Sequence, residues 1–470
     1  MANPNSSSIE LVKATLYDVK GKQFDITKIC VAFAYYEDIY SPFITAVLNV
    51  VDSGMNLIGT LPIQGGERVV IKLKDVQDKT YEYDLHVWKI YDRSFTKKIQ
   101  TYNLSLISKE ALYNEGVRIT EKLSGLPNEV VKSILTKYLA TKKKVDVEIA
   151  KYNVNFYPNG KKAHAIIQTL QFKSVPKRST ISKGEQTSSR SGSKSSIPTN
   201  TQKASGTAGY LFFETKDGFV FKSMDLLCSD GSDGFGGKPP VATYTYKPSM
   251  DAGNPNNVYT IEEYQFTDEL DMIDQMRNGI FSTYMVFYNF STGAYEEYTY
   301  NLADTFNAMS HLGSQAKLPE FQKNLGQYPT RIMSMVLDHE TWFDGDGPGS
   351  PEEKDRGKTS TSGGSSFPDY QKFYVSQGIA RRYLMETHKL EILIPGNMAL
   401  KVGDKIKVML PNVSSQEKRD VQQYDEENSG TYLISKLSHN NMLLNTSTCA
   451  TKLELIRDTN GIKNYSSNVK

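Results

Sequence analysis

Ser41-Pro42-Phe43-Ile44-Thr45-Ala46-Val47-Leu48-Asn49-Val50-Val51-Asp52 decides the reading of the first hundred residues. Both alternating sets, Phe43/Thr45/Val47/Asn49/Val51 and Ile44/Ala46/Leu48/Val50, are largely apolar, the pattern of a strand covered on two sides. Outward from it the alternation becomes one-sided. Val69, Ile71 and Leu73 alternate with Val70, Lys72 and Lys74; Tyr81, Tyr83, Leu85 and Val87 alternate with Glu82, Asp84, His86 and Trp88; Tyr102, Leu104 and Leu106 continue the series. Turn residues at Gly21, Asp52-Ser53-Gly54, Gly65-Gly66 and Asp75 to Asp78 separate the runs, so residues 1–110 are expected to form a small barrel or sandwich.

The period then changes. Val131, Leu135 and Leu139 share a face with Val130, Ile134 and Tyr138 behind Pro127-Asn128-Glu129, which predicts a helix over about 128–140. Ala163, Ile166, Ile167 and Leu170 predict another from Lys161 to Phe172. Tyr210–Thr215 and Phe219–Lys222 flank Lys216-Asp217-Gly218, a hairpin signal, and Thr267–Ile280 reads as a helix with Asp268, Glu269 and Asp271 in its first turn. From Tyr370 onward the pattern is β again. Leu390, Ile392 and Ile394 lead to the turn Pro395-Gly396-Asn397, Leu400-Lys401-Val402 to Gly403-Asp404, and Ile406, Val408 and Leu410 alternate with lysine and methionine. Gly430 opens Thr431–Leu437, and Thr451–Ile456 closes the unit.

Two polar stretches, Lys177–Gly209 and Asp344–Asp369, contain too little apolar surface to offset their ordering entropy and read as loops. The expected class is therefore α+β, mainly β. The expected division is a first β unit at 1–110, an α+β domain at 111–176, a flexible Ser/Thr/Lys-rich loop at 177–209 and a mixed α+β region at 210–343 that contributes strands to the second β unit. A Gly/Ser-rich loop at 344–369 and the C-terminal half of the second β unit at 370–470 complete it. No repeat links the two β units in sequence.

The chain has 470 residues, more than one core sustains. Its 55 basic and 53 acidic side chains leave a formal charge of +2, so no global field draws it to nucleic acid or an anionic membrane. Cys30, Cys228 and Cys449 are too far apart in sequence for a zinc cluster or a CxxC pair and read as buried free thiols. The start, Met1-Ala2-Asn3-Pro4-Asn5, lacks the basic and apolar regions of a signal peptide, and no run reaches transmembrane length, so the expectation is a soluble, cytoplasmically made protein, or one that leaves the cell without the general secretion route.

Little in the sequence points to chemistry. None of the six histidines has a second one at helical zinc spacing. Asp338-His339-Glu340 reads as a surface cluster because adjacent side chains diverge. Asp344-Gly345-Asp346-Gly347 resembles a calcium loop but lacks the distal glutamate, and Asp230-Gly231-Ser232-Asp233-Gly234 reads as turns. Lys142-Lys143-Lys144 reads as a solvated helix end. No nucleophile elbow, P-loop or dinucleotide fingerprint occurs. No catalytic, cofactor-binding or metal-binding residue is assigned, and no cofactor is expected.

Three stretches together resemble the central hub protein of contractile phage tail baseplates, a family that includes the N-terminal part of type VI secretion spike proteins. They are Ser41–Asp52 with Leu61-Pro62-Ile63-Gln64-Gly65-Gly66-Glu67; Gly209–Phe221; and Leu393-Ile394-Pro395-Gly396 with Leu400–Ile406, Ser429–Ile434 and His439. The turn positions carrying the resemblance are Gly65, Gly66, Gly218, Gly396, Gly403, Asp404 and Gly430. The resemblance implies two tail-tube-like β-barrels with attached α+β domains, and a homotrimer placing six barrels around a channel. It implies a virion protein of the tail baseplate, assembled in the host cytoplasm and not an enzyme. Its partners would be the tail tube protein, a separate spike protein and baseplate wedge proteins, with genomic DNA passing through the lumen and no stable membrane association. A spike on a separate chain is expected because the sequence ends soon after the second β unit. The alternatives are the hub of a bacterial contractile injection system and, in a different class, a tail protein that binds or hydrolyses cell-wall glycans.

Overall fold

The computed structural model describes residues 7–54, 57–61, 63–97, 99–177, 206–247, 258–268, 270–288, 295–314, 318–336, 369–412, 424–444 and 447–461. Most of both polar stretches, with Asp338-His339-Glu340 and Asp344–Gly347, lies outside the described residues.

The first β unit comprises β1 (Ile9–Tyr17), β2 (Gln23–Asp25), β3 (Cys30–Asp38), β4 (Thr45–Asp52), β5 (Arg68–Asp75), β6 (Thr80–Thr96) and β7 (Ile99–Ile107), in spatial order β2-β1-β5-β6-β7-β4-β3. In β4 only one face is sealed. Ala46, Leu48 and Val50 are buried, while Val47, Asn49 and Val51 are half-buried. That second face is shielded by same-face neighbours on the flanking strands, since Val47 lies opposite Ala34 on β3 and Ser105 on β7. The two-sided reading of this strand is corrected accordingly.

The middle of the chain contributes β8 (Leu123–Gly125), β9 (Lys144–Val147), β10 (Val154–Phe156), β11 (Tyr210–Thr215) and β12 (Gly218–Ser223). β11 and β12 form the hairpin read from the sequence, and β9 runs parallel to β12. The helix read at 128–140 is Pro127–Ser133, continued as a π-helical turn over Ile134–Tyr138. The helix read at 161–172 is Ala163–Lys173.

The second β unit and its neighbours comprise β13 (Ala242–Tyr246), β14 (Thr260–Ile261), β15 (Glu263–Asp268), β16 (Ser282–Tyr288), β17 (Tyr295–Asn301), β18 (Arg331–Val336), β19 (His388–Pro395), β20 (Lys405–Met409), β21 (Gly430–Met442) and β22 (Thr448–Arg457). β16, β17 and β18 form a separate sheet. Two expectations are corrected here. The stretch read as a helix over Thr267–Ile280 ends β15 and then forms only the short helix Met272–Arg277, because the Asp271 side chain caps it at Asp274 N (2.9 Å) and the chain turns at Gly279. Residues 369–385 are a helix rather than the start of β structure. Its buried faces include Ser376, Gln377 and Arg381 beside Val375, Ala380 and Leu384, so the apolar periodicity that signals a helix is interrupted by polar residues whose partners are distant in sequence. Leu400-Lys401-Val402 leads into the turn at Gly403, with Leu400 and Val402 buried.

β3 and β21 pair antiparallel from Asp38 opposite Lys436 to Ala32 opposite Met442. This fuses the two β units into one 14-stranded sheet that runs open from β14 to β2. The start of β1 also touches the start of β22 through the bridge Ser8–Thr448. No sheet among the described residues closes by itself into a barrel. One core serves both units, with Phe33, Leu48 and Leu104 in the same cluster as Ile392, Leu433 and Leu455, and a second core lies beneath the middle region. Cys30, Cys228 and Cys449 are buried and unpaired, and burial pushes each thiol up to about 12.

Candidate functional site: the polar joints between the units

Several buried charged residues gather where chain segments distant in sequence meet. At the first joint Glu37, on β3 and 3% exposed, accepts hydrogen bonds from Tyr35 Oη (2.7 Å), from the Lys216 backbone N–H in the β11–β12 turn (2.7 Å) and from Val402 N–H (2.9 Å). One carboxylate thus holds three chain segments. Burial pushes Glu37 up to about 7 and brings the Lys216 amine down to about 8. Lys216 Nζ donates to the Met398 carbonyl and, at 3.0 Å, to that of Leu400. Tyr35 stacks at 6.1 Å on buried His439, which burial brings down to about 3, so this imidazole is neutral at physiological pH.

At the second joint Glu214 of β11 accepts from Ile44 N–H at the entry to β4 (3.0 Å). Lys143 Nζ lies 2.5 Å from Glu214 Oε1 and 2.9 Å from Glu110 Oε2, and Thr141 Oγ1 donates to Glu110 at 2.7 Å. Burial raises Glu214. For Lys143 burial works the other way, yet the two glutamates raise it. The Lys142–Lys144 run is therefore not a solvated helix end: Lys143 neutralises two carboxylates and Lys144 begins β9. Lys143→Met is expected to cost about 1–2 kcal/mol near neutral pH, a buried-pair loss discounted for the partial exposure of the lysine. The cost should shrink as pH falls, because burial raises the Glu214 carboxyl and a protonated Glu214 no longer needs the cation; urea midpoints at about pH 8 and about pH 5 would measure it.

The third joint surrounds Arg381, a fully buried residue of the helix Asp369–Met385. Arg381 Nη1 donates to Asp458 Oδ2 (2.8 Å) and Nη2 to the Ser310 carbonyl (2.5 Å), with Asp225 Oδ1 3.7 Å away. His311 Nδ1 lies 2.7 Å from Asp458 Oδ2, and Leu312 N–H donates to Asp458 Oδ1. Burial would raise Asp458, but His311 and Arg381 hold its carboxyl well below the usual range. Asp225 accepts from Thr207 and from Ser310 N–H. Asp233, within the stretch read as turns, accepts from Ser229 Oγ and Ser310 Oγ at 2.5 Å each.

The turn residues singled out in the sequence fall in different places. Gly218 sits at φ 126 against Lys144 of β9, and Gly403 at φ 81 against the Phe213 ring. With Asp404, whose carboxyl burial raises, they border the Glu37 joint, where Lys401 Nζ lies 2.7 Å from Asp217. Gly65 and Gly66 lie apart, in a loop whose Gln64 and Gly65 N–H groups donate to the buried Glu67 carboxylate. Gly396 packs on Cys449, and Gly430 begins β21 opposite Val408. The sequence reading missed Glu37, Glu110, Glu214, Asp225, Arg381 and Asp458. A lone acid within an apolar strand, as in Tyr210-Leu211-Phe212-Phe213-Glu214-Thr215, is the signal that was there to find.

The clusters are hydrogen-bonded into the interior, an arrangement that fixes elements relative to one another. Among the described residues no group of three His, Cys, Asp or Glu is placed to hold a metal, and no helix is long and apolar enough to cross a membrane.

No family model and no curated protein matches the chain. Among solved structures it is similar to the tail protein from Neisseria meningitidis MC58, with 10% identity and TM-score 0.48 over 95% of this chain and 96% of that one. It is also similar to the 43 kDa tail protein of prophage MuSo2 from Shewanella oneidensis (9%, 0.48, 95% and 98%). A third is the E. coli c3393 protein, described as a component of the type VI secretion system (10%, 0.41, 91% and 73%). Its structural neighbours are tail and secretion proteins.

Proposed function

We propose that the chain is a structural subunit of a contractile tail, the central hub that adapts a sixfold tube to a threefold spike. The observation that carries this reading is the β3–β21 pairing, which sets two β units side by side in one continuous sheet. Three such chains supply six β units, the number needed to bridge threefold and sixfold symmetry. The partners are then two further copies of the chain, the tube protein above, a spike below and wedge proteins around, in a virion baseplate assembled in the host cytoplasm. DNA passes through the lumen. The polar joints fit this role, since a ring that bears load needs its units locked in orientation. The reading assigns no catalytic residue.

Light scattering on the purified chain, with negative-stain images of the same peak, tests it. The expected result is a mass near three times 52.8 kDa and a ring with a central hole, held by obligate interfaces on the order of 2,000 Å² or more. A monomer that stays monomeric at high micromolar concentration, also after addition of the cognate spike, overturns it.

A further inference from the structure

Glu37 and Glu214 form a reciprocal pair. Glu37 lies on β3 and accepts from a backbone N–H at the end of β11; Glu214 lies on β11 and accepts from a backbone N–H where the chain enters β4. Each hairpin therefore reaches into the other with a buried carboxylate. Glu37 adds a third segment through Val402 N–H, and Lys216, from the turn it holds, bonds the carbonyls of Met398 and Leu400 in that segment.

We propose that this reciprocal clamp is a proton-operated latch between the first β unit, the β11–β12 hairpin and the 398–402 segment, most closed in mild acid and most readily opened between about pH 7 and pH 8. Opening hydrates the buried groups and returns them to their ordinary proton affinities. Closed, Glu37 titrates at about 7, against an ordinary value of 4.5. Closure on Glu37 is therefore strongest at low pH and weakens as pH rises from 4.5 to about 7, because the open state ionises first. Lys216 has the opposite slope. Closed, it titrates at about 8 against an ordinary 10.5, so closure is strongest above 10.5 and weakens as pH falls to about 8. Between these limits both groups are charged and the latch is weakest.

The other titratable groups around the clamp do not cancel this pattern. Tyr35 and Tyr83 are raised by burial and stay neutral, and His439 is neutral throughout the window. Burial raises Asp404, and burial with Lys143 alongside sets Glu214, so both carboxyls add to the acidic slope. Lys143 stays charged between Glu110 and Glu214. Asp217 and Lys401 form a part-exposed pair at the rim, and Lys79 lies near Lys216. The latch follows from contacts within one chain and does not depend on the hub reading.

Pulse-labelled hydrogen exchange on the full-length protein, corrected for intrinsic exchange, reads the latch at the amides of Ile44, Lys216 and Val402. Peptides spanning 39–48, 211–219 and 396–404 should show an opening equilibrium that rises about a hundredfold from about pH 5 to about pH 7.5 and falls again above about pH 8. Peptides within β5 and the first half of β6 should show no such maximum. Glu37→Gln should remove most of the acidic limb, and Lys216→Met the alkaline limb. A flat wild-type profile at these peptides overturns the proposal even if the variants do not fold, and so does a Glu37→Gln protein that keeps the wild-type acidic slope.

Discussion

Arg381→Ala should lower the unfolding free energy by about 3–5 kcal/mol, the largest loss expected of any single substitution in this chain. The guanidinium lies wholly inside the protein, with Asp458 2.8 Å from one nitrogen and the Ser310 carbonyl 2.5 Å from another. Removing it leaves Asp458 and Asp225 desolvated with one fewer cation, and leaves a cavity in the helix Asp369–Met385. Acid unfolding supplies an independent readout. Asp458 is held below the ordinary carboxylate range, so its contribution is present above pH 3.8 and is lost only as pH falls below that value. Without Arg381 the carboxyl titrates higher, and the acid-unfolding midpoint should move up. Arg381→Lys should recover only part of the loss, because one ammonium cannot reproduce the two-nitrogen fork toward Asp458 and Ser310. Urea titrations with an acid titration of each variant test this; wild-type stability in Arg381→Ala would mean that the joint contributes little.

Gly218→Ala should cost about 3 kcal/mol, combining backbone strain with overpacking. At φ 126 an L side chain is strained, and its Cβ would stand 2.2 Å from the Lys144 carbonyl oxygen of β9. That oxygen belongs to the strand that runs parallel to β12, so relief would require β9 to withdraw. Gly65→Ala is the control. Gly65 has φ 101, but nothing lies within 4 Å of the added Cβ, so only the conformational cost of about 1–2 kcal/mol applies. The expected signature is a larger fall in the unfolding midpoint for Gly218→Ala, with exchange protection lost at 144–147; equal losses at both glycines would remove steric contact as the cause.

The sequence carried the elements whose partners are near in the chain. The β11–β12 hairpin is legible because Lys216-Asp217-Gly218 joins two apolar strands, and Ala163–Lys173 because its apolar stripe is unbroken. Asp369–Met385 is illegible because the partners of its buried Arg381 and Gln377 lie elsewhere: Asp458 and the Ala208 N–H. A helix whose polar residues are satisfied from afar does not look amphipathic. The same reason hides Glu37, which sits among Tyr35, Tyr36 and Asp38 without marking itself as the acceptor for Lys216 and Val402.

What the sequence by itself determined is local: the strands around Thr45–Asp52, Arg68–Ile107, Tyr210–Ser223 and His388–Arg457, their turn glycines, the helices near 128–140 and 161–172, and the lack of a recognisable catalytic motif, all set by periodicity and backbone conformation over a few residues. What only the tertiary structure decided is how the parts join. Pairing β3 with β21 brings Phe33 and Asn441 together across about 400 residues, a contact for which no local pattern exists. It made one open sheet and one shared core of what the sequence presents as two separate β units. Glu37 and Glu214 became buried acceptors in the same way, because distant chain brings each of them its backbone donors.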